Sequence, residues 1–180
     1  LKAYPENVNL RKQFARKLYD QCSFAKACTQ LEMLLPYEPK NTEFRTMLAH
    51  SYRQTAKYPE AILLYRELLL ETPKDLDLVK PFVLCMEQSG NRDTVILLLE
   101  KAIKLFRKDT WLPLRLGTLY MSEGRLEKAA ETFRLVIGID PKNWQAYDGL
   151  GVLYGKMGNN QFAERFTKRA VQLKAAHEPG

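Results

Sequence analysis

The residue types that most often carry chemistry are cysteine and histidine, and this 180-residue chain has three of the first and two of the second. Zinc sites use four such ligands in close pairs, and disulfide frameworks use even numbers of cysteines. Cys22, Cys28 and Cys85 form no C-x-x-C pair, and His50 and His177 lie far from them in sequence. We therefore expect free thiols, no metal and no disulfide. Unpaired cysteines favour the cytoplasm, and a periplasmic location stays open.

Glycine-rich and catalytic motifs also point away from an enzyme. The segment GLGVLYG, at residues 149–155, has no strand before it, as a dinucleotide-binding loop would require. We find no H-E-x-x-H, no P-loop and no Ser/His/Asp set with suitable spacing. The chain is therefore predicted to be non-enzymatic and to need no cofactor.

The net charge of +7 is spread along the chain. Residues 1–75 hold twelve Lys/Arg against nine Asp/Glu, residues 76–180 hold sixteen against twelve, and the one local basic bias is RFTKRAVQLK at 165–174. Without a concentrated basic patch a nucleic-acid ligand is disfavoured, and RNA or an acidic polysaccharide stays as a minor alternative. Apolar runs are too short and too charged to insert in a membrane, so we expect a soluble chain.

The chemistry-bearing residues are positioned by an internal repeat. Leu-Gly, then Tyr, Gly and Ala, recur thirty-four residues apart in RLGTLYMSEGRLEKAA and GLGVLYGKMGNNQFAE. The period continues backward without insertion and defines five units: 8–41, 42–75, 76–109, 110–143 and 144–177. Apolar residues at three- and four-residue steps predict two helices in each unit, joined near Gly90, Gly124 and Gly158. Small residues at the eighth and twentieth places predict close approach of paired helices.

This pattern resembles the tetratricopeptide repeat, whose thirty-four-residue signature carries Leu-Gly, Tyr, Ala, Phe and Pro. The fourth unit matches it best, at Leu116, Gly117, Tyr120, Gly124, Ala129, Phe133 and Pro141. The third unit departs most, at Val83, Met86, Val95 and Arg107. The resemblance implies an all-α fold, a right-handed superhelical α-solenoid of stacked helix-turn-helix repeats. It also implies a protein-protein interaction scaffold or adaptor.

The register also gives expectations for both ends and for two unusual places. Residues 1–7 align with the tail of a preceding repeat, with Pro5 at the place of Pro39 and Pro73, and residues 178–180 form a C-terminal tail. Pro81 is expected to delay or bend the first helix of the third unit. Gly149 and Gly155 lie on the groove face of the fifth unit and either leave room for a bulky side chain of a ligand or reflect simple drift between helix pairs.

In the tetratricopeptide family the first helix of each pair lines a concave groove, which binds peptides. The resemblance places eleven candidate partner-binding residues there: Lys12, Arg16, Tyr19, His50, Arg53, Lys80, Leu84, Trp111, Leu114, Met121 and Val152. The earlier ones are largely basic and the later ones largely apolar. We therefore expect a protein or peptide ligand with acidic and apolar residues.

Two other interpretations stay open. The groove charges could serve only to solvate a helical face, with Trp111 packed between repeats. The array could instead be an architectural segment of a larger assembly whose units pack against neighbours or copies of themselves. Leu10 and Phe14, if exposed by truncation, would favour a homo-oligomer of this chain in either case. A chaperone-tail clamp is not favoured, because its five places hold Lys12, Arg16, Met47, Lys80 and Leu84, and only the two lysines match.

Overall fold

A computed structural model describes the chain from residue 5 to residue 177, with side chains from residue 8 onward. The described residues form ten α-helices and no strand. Their bounds are α1 (Pro5–Asp20), α2 (Phe24–Leu34), α3 (Thr42–Gln54), α4 (Tyr58–Glu71), α5 (Leu76–Gln88), α6 (Arg92–Leu105), α7 (Trp111–Ser122), α8 (Leu126–Ile139), α9 (Trp144–Lys156) and α10 (Asn160–His177). The all-α prediction of two helices per repeat is confirmed.

The chain divides into two compact units, Leu1–Asn91 and Arg92–Gly180, which we call the N-terminal and C-terminal units. Within the N-terminal unit each helix from α1 to α5 packs against the next, and α3 also contacts α5. Within the C-terminal unit α6 to α10 pack in the same sequential way, and α7 also contacts α9. The division falls between α5 and α6, inside the third predicted repeat, which is also the weakest match to the repeat signature.

The first helices begin close to the predicted places. The side chains of Asn41, Asp75 and Asn143 cap α3, α5 and α9 by accepting backbone amide hydrogen bonds, as expected for these residue types. α1 differs, because it begins at Pro5 and so takes in residues that the repeat register assigned to a preceding tail. Residues 1–4 and 178–180, which complete the two predicted tails, lie outside the described residues.

Pro81 lies inside α5 without delaying its start. The helix begins at Leu76, capped by Asp75, and continues past the proline to Gln88. The expectation of a delayed helix is therefore wrong, because the capped first turn forms before the place at which the proline removes an amide donor.

Small residues allow the closest helix contacts, as predicted. Ala15, Ala27, Ala49 and Ala61 have no exposed surface, and they lie at the eighth and twentieth places of the first two repeats. A methyl group added at Gly117, the eighth place of the fourth repeat, would lie 2.8 Å from the ring of Phe133. The repeat period therefore encodes the spacing between paired helices as well as their length.

The turn inside each helix pair has a residue in the left-handed region of the backbone. Cys22, Ala56, Gly90, Gly124 and Gly158 are thirty-four residues apart, with φ of 56°, 58°, 80°, 71° and 75°. After α3, for example, the amide of Lys57 donates to Tyr52 O at 2.8 Å and that of Ala56 donates to Arg53 O at 3.2 Å. These two bonds form a Schellman motif, in which glycine is the favoured residue.

We expect Ala56→Gly to stabilise the N-terminal unit by about 1 kcal/mol, because an L-residue in this conformation is strained and glycine is not. Gly124→Ala is the matched reverse change, and a methyl group there would meet no atom within 4 Å. It should destabilise the C-terminal unit by about 1 kcal/mol through backbone strain alone. Urea midpoints followed by circular dichroism measure both effects. Shifts of the same sign in the two variants would contradict this explanation.

Candidate functional site

The predicted partner-binding residues lie on the first helices of the pairs, as the register required. In the N-terminal unit α1, α3 and α5 hold the seven residues from Lys12 to Leu84, and in the C-terminal unit α7 and α9 hold the four from Trp111 to Val152. We describe the two sets separately, as the N-terminal face and the C-terminal face.

Two cations of the N-terminal face are already paired with carboxylates of this chain. Lys12 forms an ion pair with Glu38, in the loop after α2. Arg16 donates two hydrogen bonds of 2.7 Å to Glu43, and its guanidinium lies 5.3 Å from the ring centroid of Phe44. The hydrogen bonds from Lys12 and Arg16 hold the pKa values of Glu38 and Glu43 below their ordinary range. An acidic ligand would have to compete with these partners.

Aromatic and imidazole rings meet beside those ion pairs. The hydroxyl of Tyr19 lies 2.6 Å from Nδ1 of His50, within hydrogen-bond distance. The ring of Phe24 lies edge-on to both, at centroid distances of 5.7 Å and 5.4 Å. Burial lowers the pKa of His50, and the charge of Arg53 lowers it further, so His50 is neutral at pH 7. Phe24 was not predicted, because it lies at the start of a second helix.

Arg53 is the cation of this face without a carboxylate partner. It is half-buried, its Nε is buried and makes no hydrogen bond, and no carboxylate of the described chain lies within ion-pairing distance of it. Its charge acts on three neighbouring groups. Burial raises the pKa values of Tyr19, Tyr65 and Cys85, that of Cys85 to about 11. The charge of Arg53 lowers all three pKa values and so offsets part of this rise. Arg53 therefore has a side-chain hydrogen bond with Tyr65 but no carboxylate among the described residues to balance its charge.

The remaining two residues of the N-terminal face are Lys80 and Leu84 on α5, and both are half-buried. Lys80 already has an interaction within the chain.

The C-terminal face is apolar. Trp111, Leu114 and Met121 are half-buried on α7, and Val152 on α9 is 45% exposed. Leu114 lies about one helical turn beyond Trp111, and Met121 about two further turns along the same helix. Trp111 also has an interaction within the chain, so part of its surface serves the fold.

Gly149 does not leave room for a ligand, which corrects one of the two explanations offered for it. A methyl group there would lie 2.7 Å from Cζ of Phe133, whose ring reaches α9 from α8. Gly149 is therefore a contact between neighbouring helix pairs, which neither explanation predicted. Gly155 is different, since an added methyl group would meet Ala163 at an ordinary 3.9 Å.

The described residues contain no group of three or more His, Cys, Asp or Glu side chains that could hold a metal ion. Cys28 and Cys85 are buried free thiols and Cys22 is an exposed one. None of the helices described is long and apolar enough to span a membrane.

Helix pairs of constant length, stacked in sequence with small residues at their contacts, define an α-helical repeat protein. Two family models described as tetratricopeptide repeat match residues 46–79 and 86–151. The chain belongs to the tetratricopeptide repeat family. It is therefore a protein-protein interaction domain and not an enzyme.

Two curated relatives match the chain over part of their own length. The Hsp70-Hsp90 organizing protein of Triticum aestivum is 30% identical over 125 residues, which are 69% of this chain and 22% of the relative. Protein bimA of Emericella nidulans is 25% identical over 179 residues, 92% of this chain and 20% of the relative. The chain thus spans about a fifth of the length of these relatives.

Solved structures with the same fold include MamA. One crystal structure of MamA superposes with a TM-score of 0.81 at 21% identity, over 91% of this chain and 95% of that one. MamA 41-end from Desulfovibrio magneticus RS-1 gives 0.81 at 15% identity, over 98% and 99%. At these identities the likeness concerns the fold alone.

Proposed function

We propose that the first-helix faces bind segments of a partner protein, the N-terminal face an acidic segment and the C-terminal face an apolar one. In this proposal Arg53 receives a carboxylate on the N-terminal face, and apolar side chains contact Trp111, Leu114, Met121 and Val152 on the C-terminal face. The observation that carries the proposal is the charge of Arg53, which is half-buried near Tyr19 and His50 and has no carboxylate partner among the described residues. Partial burial of a charge costs solvation free energy, and an incoming carboxylate would offset that cost.

Lys12 and Arg16 have a secondary role in this proposal, because each already forms an ion pair with its own chain. They orient the ligand weakly, through the part of their positive charge that Glu38 and Glu43 do not neutralise. Lys80 adds a further positive charge from α5. The name of the wheat relative refers to Hsp70 and Hsp90. We do not extend that to this chain, because Met47 and Leu84 replace polar residues of the chaperone-tail clamp.

Selection of a random 12-residue peptide library on the intact chain tests the proposal. We expect enrichment of peptides rich in Asp or Glu and of peptides rich in large apolar residues. Trp111→Ala should weaken binding of the apolar peptides by more than about 1 kcal/mol, roughly fivefold, as for an aromatic anchor. Circular dichroism and the urea midpoint serve as controls. If Trp111→Ala lowers stability and leaves peptide affinity unchanged, Trp111 belongs to the core instead.

A further inference from the structure

The last helix carries the one local concentration of positive charge in the sequence, RFTKRAVQLK at residues 165–174. Arg165 and Arg169 are four residues apart, so their side chains lie on the same side of α10. Both side chains are exposed, and neither makes a hydrogen bond or an ion pair with any described residue. Two guanidinium groups of one helix are therefore available to a ligand.

This side of α10 is exposed in every repeat, including those that another repeat follows. Arg165 and Arg169 occupy the twenty-second and twenty-sixth places of the fifth unit. The equivalent residues of the earlier units are all exposed: Thr29, Leu63, Leu97 and Glu131 at the first place, and Met33, Glu67, Lys101 and Leu135 at the second. A first helix that followed would pack at Thr167 instead, whose equivalents Leu31, Tyr65, Leu99 and Phe133 are buried. The exposure of the two arginines therefore does not depend on where the sequence ends.

The pair of cations at these two places is specific to the last repeat. In the earlier repeats the two places together hold at most one cation, Lys101. In α8 they hold Glu131 and Leu135, so the positive charge does not continue onto the preceding repeat. RNA and membrane surfaces attract basic surfaces that extend over many charges. The compact cluster on α10 suits a single small anionic group better.

An open depression of about 510 Å³ lies beside the two arginines. Its other lining residues come from both helices of the last pair: Tyr147 of α9, and Phe166, Lys168 and Gln172 of α10. The rings of Tyr147 and Phe166 are 6.4 Å apart, and Tyr154 stacks on Phe166 at 5.5 Å and so supports it. The earlier repeats have no pair of rings at these places, which hold Arg11 and Gln30, Arg45 and Leu64, Val79 and Leu98, and Pro113 and Thr132. Aromatic and cationic side chains thus line one depression.

A phosphate group attached to an aromatic ring matches this lining. A phosphate monoester carries a charge of about −1.5 to −2 at pH 7 and has three strong acceptor oxygens. Guanidinium groups donate paired hydrogen bonds to such oxygens, and Lys168 adds a third cation. A carboxylate, with one charge and two oxygens, would satisfy two arginines less completely. The ligand's ring can pack against Tyr147 and Phe166 in an edge-on or offset arrangement.

We propose that this depression binds a phosphotyrosine residue of a partner protein. Arg165 and Arg169 hold the phosphate, and Tyr147 and Phe166 contact the phenyl ring. In phosphotyrosine the phosphate is attached directly to the ring, whereas in a nucleotide a ribose separates the phosphate from the base. Phosphorylation of the partner would therefore control its binding to α10. The site lies on a second helix, so it is independent of the ligands proposed for the first-helix faces.

Five-residue peptides of alanine with phosphotyrosine, phosphoserine or tyrosine at the centre are the probes for this site. We expect the phosphotyrosine peptide to shift the backbone amide signals of Tyr147 and of residues 165–172 in ¹⁵N spectra of the intact chain. Arg165→Gln/Arg169→Gln should weaken its binding at least tenfold, through loss of hydrogen bonds to a charged group. The matched control Lys142→Gln/Lys156→Gln removes two exposed cations of the same unit that do not line the depression, and should change binding less than threefold. The phosphoserine peptide, which lacks the ring, should bind at least threefold more weakly, and the unphosphorylated peptide should cause no shifts.

Several results would overturn the proposal. These are no α10 shifts with the phosphotyrosine peptide at millimolar concentration, unchanged binding in Arg165→Gln/Arg169→Gln, or equal binding of the phosphoserine peptide. Displacement of the peptide by an equal concentration of adenosine monophosphate would assign the depression to a nucleotide, and displacement by phosphatidylserine vesicles at physiological salt would assign the cations to a membrane surface. Arg53→Met should leave the α10 shifts unchanged, so failure of acidic peptides to bind the first-helix faces would not affect this test.

Discussion

Phe133→Ala is expected to destabilise the C-terminal unit by about 3 to 5 kcal/mol, the range for removing a buried aromatic side chain. Phe133 is 1% exposed, and its ring reaches both α7, at Gly117, and α9, at Gly149. One side chain thus joins two successive helix pairs. Both tryptophans of the chain, Trp111 and Trp144, begin the helices that flank α8. Tryptophan fluorescence during urea unfolding therefore reports on the unit in which the change is made.

The glycine opposite the ring allows a sharper test of the same contact. Gly149→Ala would place a methyl group 2.7 Å from Cζ of Phe133 and should cost about 1 to 3 kcal/mol by overpacking. In a Phe133→Leu background that ring atom is absent, and most of the cost should disappear. The double-mutant cycle then gives a coupling free energy between the two positions.

Gly155→Ala is the matched control on the same helix. Its added methyl group has an ordinary 3.9 Å contact, so the change should be neutral or slightly stabilising through helix propensity. If Gly149→Ala costs the same in both backgrounds, the glycine is required by something other than the ring. The assignment of Phe133 as the contact between pairs would then be wrong.

The repeat period predicted the helices because each position of the repeat has the same structural role in every unit. The left-handed turn needs a residue that tolerates positive φ, and Gly90, Gly124 and Gly158 marked it in the sequence. Cys22 and Ala56 take the same conformation without any such signal. They could be assigned only by counting, because the Schellman hydrogen bonds impose the conformation whatever the side chain.

The start of α1 shows where such counting is insufficient. Pro5 occupies the place of Pro39 and Pro73, which follow second helices. Proline is favoured both after a helix and at its first position, so the residue type could not decide between the two. In the structure Pro5 is the first residue of α1.

The sequence predicted which residues of the candidate site lie on first helices, but not which of their charges are paired. Counting placed Lys12, Arg16 and Arg53 on first helices. It could not show that Glu38, from the loop after α2, would pair with the first of them, or that Glu43 would bind the second. Ion pairing depends on side-chain reach between neighbouring helices, which the repeat register does not record. The difference between the paired and the unpaired cations therefore appears only in the structure.

The absence of a carboxylate partner for Arg53 predicts a large effect of this residue on peptide affinity. Arg53→Met should weaken binding of the selected acidic peptides by about 2 kcal/mol, roughly thirtyfold, the contribution of a hydrogen bond to a charged group. Arg16→Met is the matched control. Its guanidinium is half exposed and already bound to Glu43, so affinity should change less than threefold.

Stability should respond differently to the same change. Arg53 has a buried Nε without a hydrogen-bond partner. Methionine, of similar length and no charge, removes this unfavourable group together with one side-chain hydrogen bond to Tyr65. We expect the urea midpoint of Arg53→Met to stay constant or rise while peptide affinity falls. Isothermal titration calorimetry and urea unfolding of the same samples measure both quantities. A lower urea midpoint with unchanged peptide affinity would make Arg53 a structural residue. A residue that serves ligand binding is expected to lower the stability of the free protein, so its removal should not lower the midpoint.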